Sequence, residues 1–245
     1  MKKLLLGAVA LLLLIALSLF GLVYLASDYE IPTGETGPTA EALRDRIEEA
    51  TNIAGFRDLG AVEFTFGPSG NHHFYDIQRR FAEVRMGDTT VRFSLRDFKS
   101  RVERDGSVVT GAEAAEALRD AYKFHINDVF WLNPFAQLRS PGIELQKIGE
   151  QALLVTYSSG GVTPGDSYLI VTNAAGRPTH WKMWTFVPVK GMEFSFEGWE
   201  NFGDDVPLSL KHESFLAGIE IENVKVYEEY PAPGGTDRFA ALAGR

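Results

Sequence analysis

Leu4 to Ala26 is an unbroken run of 23 residues without a formal charge. An α-helix rises 1.5 Å per residue, so such a run reaches across a hydrocarbon core of about 30 Å. Signal-peptide cores are shorter, roughly 7–15 residues, and end at a small-x-small site. Leu25-Ala26-Ser27 makes a poor cleavage site. Residues 1–27 therefore read as a retained transmembrane anchor, with a long cleaved signal peptide as the alternative.

Charge gives the orientation. Lys2 and Lys3 precede the run, whereas Asp28, Glu30 and Glu35 follow it before the first basic residue, Arg44. Positive flanks stay inside, so the remainder is expected outside the cytoplasm. The Lys-Lys start and short anchor have a bacterial look. The expected location is a bacterial inner membrane, single-pass, with the domain facing the periplasm. Cleavage would instead leave it periplasmic or secreted.

Beyond the two lysines the chain holds 22 basic and 33 acidic groups. That acidic balance disfavours nucleic acid and anionic headgroups, which are bound chiefly through Lys and Arg. There is no Cys. This excludes disulfides, thiolate nucleophiles, cysteine metal sites and lipid attachment at an N-terminal Cys. Residues 28–39 contain Pro32, Gly34, Gly37 and Pro38 and read as a linker. Residues 40–230 are expected to form one domain, and 231–245 a flexible tail.

Within the domain, Ala40 to Ala54 has a helical stripe of Leu43, Ile47 and Ala54, with Gly55 as the expected C-cap. The pattern then changes to period two. Val62, Phe64 and Phe66 alternate with Glu63 and Thr65, and His72–Ile77, Phe81–Met86 and Thr90–Leu95 continue in that style. Asp105-Gly106 marks a hairpin. A helix follows, with capping-box spacing at Thr110 and Glu113, and its aromatic-rich continuation stops at Pro134. Strands resume at Ile143 and recur to Tyr227. In His180–Val187, Trp181 and Met183 face one way and Trp184 and Phe186 the other, so this strand is expected to be covered on both sides. The fold class is mainly β (α+β): an antiparallel half-barrel of about ten strands with one or two covering helices, plus the N-terminal helix.

Three stretches carry a family resemblance: Asn127-Asp128-Val129-Phe130-Trp131-Leu132, Ser140-Pro141-Gly142, and Val162-Thr163-Pro164-Gly165-Asp166-Ser167-Tyr168. In this order they resemble a group of uncharacterised bacterial envelope proteins similar to the outer-membrane lipoprotein carrier superfamily. The resemblance implies an antiparallel half-barrel, a greasy interior closed by helices, and binding of acyl chains or another hydrophobic ligand. Shuttling carriers are soluble, whereas this chain reads as tethered, and no binding residue is carried over.

Two readings stay open for the aromatic set Phe64, Phe66, Phe74, Phe93, Trp131, Phe135, Trp181, Trp184, Phe194 and Phe196. The rings line a lipid cavity or they fill an ordinary core; burial favours either, at roughly 25 cal/mol per Å². Asn127, Asp128 and Trp131 are expected to be structural, with Asp128 pairing Arg139 or accepting backbone donors. Pro164, Gly165 and Asp166 have the chemistry of a tight turn. His72, His73, Asp76, His180 and His212 are the metal-ligand candidates. His72 and His73 point to opposite strand faces, and no metal-binding spacing occurs, so no metal site is expected. His125 reads as a half-buried, satisfied His. Nucleophile-elbow, phosphate-loop and dinucleotide motifs are missing from the sequence, and no cofactor is called for.

The function expected is that of a non-enzymatic envelope protein binding a lipid or lipoprotein acyl chain. The alternatives are an envelope protein-interaction module and an envelope hydrolase built on Asp128 or Asp166 near a His.

Overall fold

The structure is a computed structural model and describes residues 18, 21–159, 165–186 and 189–243. Most of the expected anchor lies outside the described residues. Among those described, no helix is long and apolar enough to cross a membrane.

The described chain is mainly β and forms two antiparallel sheets with few helices and no closed barrel. Helix α1 (Pro38–Ala50) and the short α2 (Ile53–Asp58) come first. Strands β1 (Ala61–Phe66), β2 (Asn71–Asp76), β3 (Phe81–Met86), β4 (Thr89–Ser94), β5 (Ser100–Arg104) and β6 (Ser107–Val109) form a meander. Asp105 and Gly106, both at positive φ, make its last two-residue turn. Helix α3 (Gly111–Leu132) and a 3₁₀ turn (Pro134–Gln137) lead to β7 (Ile143–Ile148), β8 (Ala152–Tyr157), β9 (Ser167–Thr172), β10 (Pro178–Trp184) and β11 (Met192–Ser195). Then come β12 (Glu197–Phe202), β13 (Val206–Glu213) and β14 (Gly218–Tyr227).

The large sheet runs β12-β13-β14-β1-β2-β3-β4-β5-β6, and the small one β11-β10-β9-β8-β7. The expected single sheet of about ten strands is thus replaced by two sheets of nine and five. The physical reason lies at Phe196. The stretch from Met192 to Trp199, which the sequence offers as a single strand, leaves the small sheet as β11 and enters the large one as β12.

Two other local expectations change. The first helix breaks at Asn52, which sits at φ 43° and accepts the Gly55 N–H on its side chain. Gly55 is therefore inside α2, not a C-cap. At α3, Thr110 occupies the N-cap without a side-chain bond, and Glu113 pairs with Arg104 rather than closing a capping box.

The inner layer is continuous. Leu43 and Ile47 of α1, Val62, Phe64 and Phe66 of β1, Trp131 and Leu132 of α3, and Trp181 of β10 share the main core. The first half of α3 lays Ala117 and Ala121 on Ala82, Val84, Val91, Phe93 and Val102. Small residues at those positions let the helix approach the sheet closely.

The outer face of the large sheet is also covered. Residues 231–243 fold back onto it. Phe239 is fully buried with Ala61 and Phe74, and stacks on Phe81 at 5.3 Å. Arg79 grips Asp237 through two bonds of 2.8 Å. Arg238 reaches Glu63 and Glu83 and lies 4.1 Å from the Phe74 ring centroid. The expected free tail is a docked segment, drawn down because this face is apolar around Phe74 and carries buried acids.

The linker is pinned as well. Glu35 pairs with Lys147 through N–H···O bonds of 3.0 and 2.7 Å. Gly34 packs directly on the Lys147 carbonyl, where a side chain would collide.

Removing the Phe239 ring should leave an apolar void on the outer face. Phe239→Ala is expected to cost about 3–5 kcal/mol, read as a lower urea midpoint at unchanged m-value. An unchanged midpoint would mean that the segment contributes no stability.

Candidate functional site

Two places concentrate chemistry: a buried polar cluster beneath α3, and an open pocket at the N-terminal end of the domain.

The cluster arises from strand alternation. On β2, His72 points to the outer face and bonds Glu63 at 2.9 Å, while His73 points inward. Late in α3, Asp128 arrives above it. His73 Nε2 lies 2.8 Å from Asp128 Oδ2, and Asn127 donates to the other oxygen at 2.8 Å. Both His73 and Asp128 are fully buried. His125, three residues earlier in α3, is buried 6.1 Å from the His73 ring and edges onto Tyr75 at 5.0 Å. Phe64 stacks on His73 at 4.8 Å.

The partner of Asp128 is therefore His73, not Arg139. Arg139 instead bonds Glu48 at 2.7 Å and Asp45 at 2.6 Å. An acid/base pair exists, but it lies under a helix and neither pocket described below reaches it. Asp166 lies elsewhere, 3.4 Å from the Tyr168 hydroxyl. Among the described residues no three His, Asp or Glu side chains converge as metal ligands.

Burial pushes His125 well below the ordinary histidine value, and the neighbouring His73 adds to this. Burial also lowers His212 to about 4, against the opposing bond to the Ser195 carbonyl. Both are therefore neutral in the fold near pH 7.

The ten aromatic candidates separate. Phe64, Phe66, Trp131, Phe135, Trp181, Phe194 and Phe196 meet in the main core. Phe93 lies under α3 and Phe74 under the C-terminal segment. Trp184 stands apart, with its indole N–H donating to the Asp28 carbonyl at 2.8 Å. Pro164 lies outside the described residues. Gly165 is at φ 100°, and its N–H donates to the Tyr157 carbonyl at 2.7 Å, across the base of the connection between β8 and β9.

Trp184 borders a pocket of about 530 Å³, lined by Tyr29, Ile31, Trp184, Phe186 and Lys190, with Gly165, Asp166 and Thr185 completing the wall. Ligand pockets commonly span about 300–1,000 Å³. The N-terminal segment forms one side of it. The Asp28 N–H donates to the Lys190 carbonyl at 2.8 Å, and the Lys190 N–H donates to Ser27 Oγ at 3.1 Å. Gly191 permits that approach, since it is at φ 66° and a Cβ there would stand 2.7 Å from the Asp28 Cβ. Phe186 is 80% exposed. The Lys190 ammonium donates to the Thr185 carbonyl at the rim. A second pocket, about 340 Å³, lies between α1 and β7 and is lined by Glu41, Arg44, Arg139 and Leu145 among others.

Of this pocket, sequence reasoning singled out Trp184 and the Gly165-Asp166 turn but missed Tyr29, Ile31 and Lys190. It assigned Phe186 to a covered strand face. Pro188 was the available signal that the strand ends before Phe186 can pair.

No protein-family model and no curated protein matches the chain. Among solved structures it is similar to a DUF1329 family protein from Desulfovibrio piger ATCC 29098, at 9% identity and TM-score 0.40, covering 80% of this chain and 96% of that one. It is also similar to an outer membrane lipoprotein-sorting protein domain from Vibrio parahaemolyticus, at 9% identity and TM-score 0.32, covering 76% of this chain and 95% of that one. Neither likeness assigns a role to a residue here.

The buried histidines set a pH dependence. The unfolded chain takes up protons at His125 and His212 below about pH 6.5, whereas the folded chain does not until far lower. Stability is thus complete above that value and falls as pH drops toward 4, by up to about 1.4 kcal/mol per pH unit for each His. His125→Gln should flatten the fall in urea midpoint between pH 7 and 4.5. Equal slopes in both proteins would mean that His125 titrates normally when folded.

Proposed function

We propose that the protein is a membrane-tethered envelope protein that binds a lipid or acyl chain without catalysis, in the pocket beside Trp184. Its domain faces the periplasm, and the two sheets act as a half-barrel whose binding end is the end nearest the anchor. The observation that carries this reading is the position of the pocket. Apolar groups of Tyr29, Ile31, Trp184 and Phe186 form one wall at the point where the N-terminal apolar run joins the domain. Lys190 stands at the rim, where an ammonium can meet a carboxylate or phosphate. Apolar burial drives binding of a chain, at roughly 0.8 kcal/mol per CH₂.

This reading moves the ligand away from the rings first considered. Seven of them pack against one another in the main core, so a chain placed there would have to displace well-packed side chains. The packed core also favours a second reading, an envelope protein-interaction module that uses exposed apolar residues as its contact.

A photoreactive fatty acid offered to the full chain discriminates between them. Crosslinks should concentrate on peptides containing Tyr29–Ile31 and Trp184–Phe186, and Ile31→Asp or Phe186→Asp should reduce them about tenfold. Both positions are exposed, so neither change disturbs the core. Uniform or absent crosslinking would end the lipid reading in favour of the interaction module.

A further inference from the structure

Among the exposed apolar side chains outside the core clusters are Phe186, after β10 of the small sheet, and Phe215 and Leu216, on a hairpin of the large one, at 80%, 66% and 61% exposure. Phe215 and Leu216 form the tip between β13 and β14, where the Ser214 N–H donates to the Ala217 carbonyl at 2.9 Å. Apolar residues at a tight tip gain nothing from the fold, which could place polar ones there.

The strand register tells where this tip points. Trp199 pairs with Ser209 and Glu197 with Lys211, and the Glu213 N–H then donates to Ser195 Oγ at 3.0 Å. As β13 advances, its neighbour therefore recedes from β12 into β11. The base of the Phe215-Leu216 tip is thereby held at Ser195, three residues from Met192 and four from Gly191. Gly191 is the residue against which Asp28 packs. The tether of the hairpin at Ser195 and the packing of Asp28 on Gly191, four residues apart in the chain, are the grounds for assigning the tip, Phe186 and the junction with the N-terminal run to one end of the domain.

That junction has no slack. Residues 21–26 are helical, and Ser27 Oγ donates back to the Val23 carbonyl at 2.7 Å. The same Ser27 oxygen accepts the Lys190 N–H, and Asp28 is fixed by Trp184 and Lys190. A bilayer-spanning run that ends at Ala26 would deliver the domain directly onto the membrane plane. Whatever surrounds the junction then stands in the headgroup layer, where aromatic side chains are favoured.

We infer that this end of the domain is a membrane seat, in which Phe186 and the Phe215-Leu216 tip insert into the lipid interface beside the anchor. The inference rests on the tethered reading above. It also orients the pocket, whose mouth by Tyr29 and Phe186 then opens at the bilayer surface, so that a ligand is taken from the membrane rather than from water. Lys182 and Lys190 supply cations here, one paired with Asp28 at 3.6 Å, on an otherwise acidic protein. The seat is therefore chiefly apolar and should be insensitive to salt.

The chain has no cysteine, so single labels are clean. Phe186→Cys, Leu216→Cys and, as control, Val108→Cys would each carry an environment-sensitive fluorophore on the full chain in phosphatidylcholine–phosphatidylglycerol vesicles. Val108 is exposed on β6, at the far edge of the nine-stranded sheet from β12 and roughly 30 Å from β13 by strand spacing. Quenching by lipid-borne nitroxide should be at least threefold stronger at 186 and 216 than at 108, and unchanged in 0.5 M salt. Equal quenching at all three positions overturns the seat, even if fatty acid still crosslinks in the pocket. Intact mass reports separately on the tether: loss of residues 1–27 with quenching retained keeps the seat and removes the anchor from the argument. Strong quenching without any fatty-acid crosslink keeps the seat and discards the pocket as a ligand site.

Discussion

The rest of the fold depends on the packing around Trp181. Its ring is fully buried and stacks on Phe130 at 5.5 Å; Trp131, Tyr168 and Phe196 each lie 5.1 Å away. These four partners come from the end of α3, from β9, and from the crossing between β11 and β12. One indole therefore joins the helix, the small sheet and the strand that enters the large sheet. Trp131 extends the contact to Phe194 and His212, and Phe196 to Phe135. Rings held edge-on and offset gain beyond their area alone, and so many in register fix how the two sheets meet.

A second layer follows from the opposite face of the large sheet. Glu83 there is fully buried and receives Arg85, Arg92 and Arg238, while Glu63 receives His72, Tyr227 and Arg238. A carboxylate out of water needs such donors. The C-terminal segment provides one of them together with the Phe239 ring. The nine-stranded sheet is thus sandwiched: helices and the small sheet on one side, a returning segment of the same chain on the other.

Much of the order of elements was legible. Alternation in Val62–Phe66 and Phe81–Met86, and the Asp105-Gly106 turn, are local signals with local causes. The opposite facing of His72 and His73 followed from the period of two. What could not be read was long-range. Near Phe196 the local signal is small: Gly198, at φ 59°, interrupts the strand pattern and the apolar phase shifts from Met192, Phe194 and Phe196 to Trp199, but that does not tell which sheet each half joins. The C-terminal segment has a loose composition, and its docking depends on Phe74 and Glu83, far away in sequence. Asp128 was recognised as a residue needing a partner, but His73 could not be picked out without the sheet. The pocket was legible only through Trp184 and the Gly165-Asp166 turn, since its other wall is the supposed linker.

The pinned linker bears on the proposed function. A free spacer would let the domain sample every orientation above a membrane, and no surface would be privileged. Hydrogen bonds from Lys190 and Trp184 to Ser27 and Asp28, together with the Glu35–Lys147 pairing, remove that freedom. Orientation then becomes a property of the fold itself. On the proposed reading the interior can be filled with rings for stability, because the hydrophobic surface proposed to meet lipid sits outside the core, at the end where the apolar run arrives.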